Sequence, residues 1–180
     1  MSAHVVSVSR SPRHRFSKQP VDAVTLRVGV GVEGDAHAGV TVQHRSRKRW
    51  RPDLPNLRQV HLLSAELLDA LAVQGFVVSP GDLGENLLVR DLDLLALPTF
   101  TRLRLGVDAV VEVTGLRNPC IQLDRFADGL MQATLRREPD GTLVRLAGVM
   151  SVVLQTGVVR TGDAVAVQLP TEPHRALAPV

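Results

Sequence analysis

The chain has 180 residues, 44% of them hydrophobic, a formal net charge of +3 and a single cysteine. That is the length of one domain, with enough apolar content for a substantial core. One cysteine excludes an internal disulfide or a cysteine-rich zinc site. The absence of tyrosine, with aromatics at 3%, weighs against base-stacking recognition of nucleic acid.

Residues 4–8 alternate loosely and read as a short strand, followed by a basic loop over 9–20. Residues 21–32 alternate apolar and polar, as in Val24-Thr25-Leu26-Arg27-Val28, which predicts a strand. Gly29, Gly31 and Gly34 then loosen the backbone. Segment 43–56 is polar and holds Arg45, Arg47, Lys48, Arg49 and Arg51, with Pro52 and Pro55 behind them. It must be a surface loop, either a solvated face or the rim of a site for an anion. Residues 58–63 predict another strand. Ser64 is a good helix N-cap, Glu66 suits the first turn, and Leu67, Leu68, Leu71 and Ala72 follow at helical spacing until Gly75.

Gly81-Asp82-Leu83-Gly84-Glu85-Asn86 reads as a turn into a strand at 87–89. Residues 101–105 and 109–114 read as a hairpin across Gly106. Residues 119–137 carry helical stretches broken at Asp128-Gly129. Residues 143–154 are strand-rich, 164–169 form a last strand, and 170–180 read as a loose tail. Many short strands with one clear helix predict an antiparallel barrel or sandwich with helices packed on it. No apolar run is long enough to span a bilayer and no signal segment is visible. With one cysteine, this predicts a cytoplasmic protein without membrane contact.

Cys120 is the leading candidate for chemistry. An apolar run at 110–113 ends in Gly115, Arg117, Asn118 and Pro119, so a strand emerges into a tight loop carrying a thiol. A neighbouring Arg favours the thiolate, the form that attacks sulfur or binds a soft metal. The alternative is an inert buried thiol. Asp35, His37 and His44 offer metal-ligating atoms, but their spacing matches no zinc pattern. The glycine-rich turn at 81–86 is not a dinucleotide fingerprint, and there is no nucleophile elbow around any serine. A cysteine-hydrolase reading needs a His beside Cys120; His37, His44 and His61 are available, and spacing alone does not bring them there. Only Lys18 and Lys48 among the 21 basic residues are lysines, so the charge is almost all arginine, the residue suited to phosphate or carboxylate.

The blocks Gly34-Asp35-Ala36-His37-Ala38-Gly39, Asn56-Leu57-Arg58-Gln59-Val60-His61-Leu62, Gly81 to Leu87, Leu103-Arg104-Leu105-Gly106, Thr114 to Cys120 and Gly148-Val149-Met150 through Gly162-Asp163 resemble, in this order, the MOSC domain. That family is named for the C-terminal domain of molybdenum-cofactor sulfurase, and the chain is similar to its small stand-alone bacterial members. The resemblance implies a mainly β, barrel-like fold of the pyruvate-kinase type, with short helices outside, over a single domain at 1–170. It implies sulfur or molybdenum-cofactor handling, with Cys120 as molybdenum ligand in a reductase of N-hydroxylated compounds or as a persulfide carrier. A cofactor-binding module without chemistry is the other reading. Arg58, Asn86, Arg117, Asn118, Asp35 and His37 are then the candidate contacts to an anionic pterin. The partner would be that pterin, a sulfur donor or acceptor protein, or an electron-transfer protein; nucleic acid is not expected. Pyridoxal phosphate is not expected either, because Lys18 and Lys48 both lie in basic loops with no cofactor motif. Cys120 should be partly exposed in a pocket, with the motif blocks and segment 43–56 around it.

Overall fold

The computed structural model describes residues 2–44 and 48–180. Its strands are β1 (His4–Arg10), β2 (Gln19–Val21), β3 (Ala23–Arg27), β4 (Gly31–Val32), β5 (Val60–Ser64), β6 (Leu87–Arg90), β7 (Arg102–Leu105), β8 (Ala109–Leu116), β9 (Leu135–Arg137), β10 (Leu143–Arg145), β11 (Val149–Gln155), β12 (Gly157–Arg160) and β13 (Val165–Gln168). The helices that lie whole within the described residues are α1 (Ala65–Val73), α2 (Gln122–Phe126) and α3 (Leu130–Ala133). The fold is mainly β with few helices, as the strand periodicity indicates.

Eight strands form one sheet in the order β13-β7-β8-β11-β5-β6-β1-β2, and β12-β3-β4 form a second. Neighbours in the large sheet pair antiparallel except β5 and β6, which run parallel with α1 as their crossover. These two strands are buried on both faces. Period-2 alternation sends Val60, Leu62, Leu87 and Val89 into a core shared with Val24, Leu26 and Val159 of the small sheet. Leu63 and Leu88 turn the other way, into a second core with Leu67 and Leu71 of α1, Leu123 of α2 and Leu130 of α3. Each fully buried leucine contributes about 1.5–3 kcal/mol.

The expected barrel is not formed among the described residues: no sheet closes on itself. β2 takes the outer edge of β1 at Val8–Arg10, leaving only its first residues free on that side. There an isolated bridge, His4 with Ala164, and the bonds Val5 N–H to Asp163 O and Gly162 N–H to Val5 O tie β1 to the turn before β13. The free edge is too short for a ladder.

Several boundaries shift from the sequence expectation. The strand expected over 21–32 divides into β3 and β4 around Gly29, which has φ of 69°. Residues 135–137, expected to be helical, pair with β10 in a separate hairpin. Ser64 occupies the N-cap of α1, but its hydroxyl donates to Glu66 Oε2 at 2.5 Å instead of capping a helix N–H. The tail expected to be loose is docked. Thr99 N–H donates to Arg175 O at 2.8 Å, Leu116 N–H to Ala178 O at 2.8 Å and Val180 N–H to Leu116 O at 3.2 Å. Gly115 permits this, since a Cβ there would strike the Ala178 carbonyl and the Val180 side chain.

Candidate functional site

A cleft of about 730 Å³ gathers chain segments that are far apart in sequence. Arg117, Asn118 and Cys120 come from the loop that follows β8. Arg58 leads into β5 and His61 lies on it. Gly84 and Asn86 precede β6, and His37 follows β4. All of these line the cleft. The three histidines that spacing could not place beside the thiol, His37, His44 and His61, all share its cleft.

Cys120 is half-buried, and its Sγ lies 3.6 Å from Gln122 Oε1. Its carbonyl accepts Leu123 N–H, which fixes the thiol at the start of α2. The Arg117 backbone is tied to Gly148 O at 2.9 Å, and its guanidinium lies 5.9 Å from the Phe16 ring centroid. Burial pulls the Arg117 pKa down, while the charges of Cys120 and Glu85 oppose that shift. Arg117 Nη1 is buried with no hydrogen-bond partner among the described residues. Asn118 Oδ1 accepts from Arg145 Nε at 2.9 Å, so this side chain is engaged at the cleft edge.

Beneath the cleft lies a polar hub built on Asp35, which does not line the cleft itself. Its Oδ2 accepts from Lys18 Nζ at 2.8 Å, Asn86 Nδ2 at 3.2 Å and Ser11 N–H at 3.2 Å. Its Oδ1 accepts from His37 N–H at 2.9 Å and faces His37 Nδ1 at 3.2 Å. Burial raises the Asp35 carboxyl, but the His37 hydrogen bonds and the Lys18 charge outweigh it and hold the carboxyl well below the usual range. Asn86 spends both amide protons on Ser9 O and Asp35, and its Oδ1 accepts His61 N–H. Of these two expected ligand contacts, Asp35 spends its carboxylate on protein donors and does not line the cleft, whereas Asn86, also hydrogen-bonded within the protein, does line it. The three-ligand metal idea at Asp35, His37 and His44 fails for the same reason. No group of three His, Cys, Asp or Glu placed for a metal ion exists among the described residues.

Lys18 lies in the loop expected there, between β1 and β2, yet it is 5% exposed, lines the cleft and has its pKa lowered by burial against the opposing pull of Asp35. Its partner is 17 positions away in sequence, so no local pattern marks the pair; its only signal is that it is one of two lysines in an arginine-rich chain. Glu85, within the glycine-rich turn, is a second group without a local sequence signal. It is buried, Gly81 N–H donates to its Oε1, and burial raises its pKa. His61 is buried beside the cleft, and because its Nε2 faces the Ala147 carbonyl at 2.8 Å, that nitrogen carries the proton. Burial and Arg117 push its pKa well below 6.5, so it is neutral.

Segment 43–56 borders the cleft through residues that include Gln43, His44, Trp50, Arg51 and Leu54; Arg45, Ser46 and Arg47 lie outside the described residues. The loop neck is closed by Val42 N–H to Leu54 O and Asn56 N–H to Val40 O. Asn56 pins it further, donating to His37 O and Gly39 O and accepting Arg58 N–H.

The profile of the MOSC domain matches residues 15–166. The chain belongs to the MOSC domain family. Its fold is shared with YuaD from Bacillus subtilis, at 23% identity and a TM-score of 0.77, covering 95% of this chain and 98% of that one. It is also shared with YiiM from Geobacillus stearothermophilus, at 18% identity and a TM-score of 0.67, covering 97% and 79%. YiiM from Escherichia coli matches at 20% identity and a TM-score of 0.63, covering 97% and 73%. No curated protein matches the chain. Among the described residues, no helix of this MOSC domain is long and apolar enough to cross a membrane.

Proposed function

We propose that this MOSC domain binds the molybdenum cofactor in the cleft, with Cys120 as a thiolate ligand of the metal, and reduces N-hydroxylated compounds. The observation that carries this reading is the sole thiol of the chain on the wall of a cleft that Arg15, Arg51, Arg58 and Arg117 also line. The cleft volume lies in the range of small-molecule sites. The buried Arg117 Nη1 lacks an acceptor among the described residues, and a phosphate or pterin oxygen would supply one. A bound molybdenum centre would supply two-electron redox chemistry, with a soft thiolate suited to its metal.

The protein residues divide the remaining tasks. Arg58 and Arg117 hold the anionic end of the ligand. The Lys18–Asp35 pair is internally neutral when both groups are charged, so attraction of an anion falls to the arginines. Asp35 and Asn86 fix His37 and the backbone of His61, which sets the shape of the cleft floor. One cysteine cannot hold an iron–sulfur cluster, so this reading needs an electron donor outside these 180 residues.

The test is purification from a host that makes the cofactor, with elemental analysis of molybdenum and the intact mass of the chain. Close to one molybdenum per chain, lost in Cys120→Ser, is expected. A metal-free chain with one extra sulfur on Cys120 would replace this reading with a persulfide carrier. Molybdenum retained in Cys120→Ser would leave a binding module in which the thiol plays no part.

A further inference from the structure

Trp50 is the only tryptophan of the chain, there is no tyrosine, and its indole lines the cleft while 76% exposed. Leu54 and Leu57 line the same cleft at 45% and 48% exposure. A large apolar surface left open at the mouth of a concave site points to an occupant that is absent from the protein itself. The core is built mainly of Leu and Val, and an exposed indole in a chain so short of aromatics stands out further. The Arg49 guanidinium lies 5.6 Å from the Trp50 ring centroid, a cation–π contact that engages the ring from one side. Arg15, Arg51 and Arg117 share the cleft and supply positive charge near this apolar wall.

We infer that Trp50, with Leu54 and Leu57, is the seat for a flat aromatic ring, and that the cleft selects ligands joining such a ring to an anionic group. The ring stacks on the indole and its anion faces the arginines. A saturated ring of the same charge lacks the π-face and loses that part of the binding. The inference rests on the cleft being a ligand site, as proposed above, but not on molybdenum.

The sole fluorophore makes the test direct. The full chain is titrated with benzenesulfonate, a flat anionic ring, and with cyclohexanesulfonate, its saturated counterpart, following tryptophan emission and binding heat together. Saturable change of emission with the flat ring, about tenfold weaker binding of the saturated one, and about tenfold loss of benzenesulfonate affinity in Trp50→Leu by calorimetry are expected. Trp50→Phe should recover part of that loss. Equal affinity in wild type and Trp50→Leu, or binding that leaves the emission unmoved, would overturn the assignment. Molybdenum content is measured separately: a chain that binds the ring but never molybdenum removes the cofactor reading and leaves this one standing.

Discussion

Removing the carboxylate of Asp35 would leave Lys18 in the interior with its charge uncompensated. Breaking one side of a buried pair costs about 3–5 kcal/mol, whereas replacing both sides by apolar groups is often close to neutral. Asp35→Asn should therefore lower unfolding stability by about that amount, and Asp35→Asn with Lys18→Met should recover much of it in urea denaturation. If the two changes simply add, the pair is not coupled as the 2.8 Å contact implies. His61 gives a second prediction with a defined sign. Its folded pKa lies well below 6.5, so the unfolded chain binds the proton first as the pH falls. The stability His61 contributes is present above about pH 6.5 and declines as the pH drops toward its folded pKa, by up to about 1.4 kcal/mol per pH unit. Glu85, whose pKa is raised by burial, acts with the opposite sign above its unfolded value, so the clean readout is a difference. Urea unfolding of wild type and His61→Gln between about pH 5.5 and 7.5 should show the steeper slope only in wild type.

At the scale of elements, β8 joins the core to the reactive loop. Ala109, Val111, Val113 and Gly115 face inward, and the docked tail crosses the Gly115 position. Gly115→Val should expel the tail, lower stability by about 1–3 kcal/mol and expose residues 174–180 to proteolysis, measured by limited digestion and mass. Retention of tail protection would show that the crowding at Gly115 can be relieved another way. β7 and β8 were legible in the sequence because each alternates cleanly about Gly106. The β9–β10 hairpin was not, because Leu135, Arg136 and Arg137 form too short a run to show a period and follow directly on helical residues. The tail was misread because its backbone bonds to Thr99 and Leu116 leave no pattern in its own side chains. At the site, the glycine-bounded motif blocks and the lone thiol were legible as residues. The roles of Asp35 and Asn86 were not, since their partners lie on other segments of the chain.

For the whole molecule, the formal charge is only +3, yet arginines collect at one cleft. Arg15 and Arg51 are exposed members of that set. Arg15→Glu with Arg51→Glu should weaken binding of an anionic ligand and flatten its dependence on salt, because fewer cations act across a screening length of about 8–10 Å. Unchanged affinity and salt slope would assign the attraction to Arg58 and Arg117 alone. A solvated arginine face predicts that unchanged result, so the measurement separates the two roles open to Arg15 and Arg51.

Cys120 and Trp50 are each unique in the chain and both line the same cleft. The molecule thus carries its own donor and its own single attachment point for an acceptor dye. Resonance energy transfer from the indole to a label on the thiol would act as a ruler across the cleft mouth, with no residue added or removed. The separation of Trp50 from the thiol, with and without a ligand in the cleft, is then read in solution as transfer efficiency.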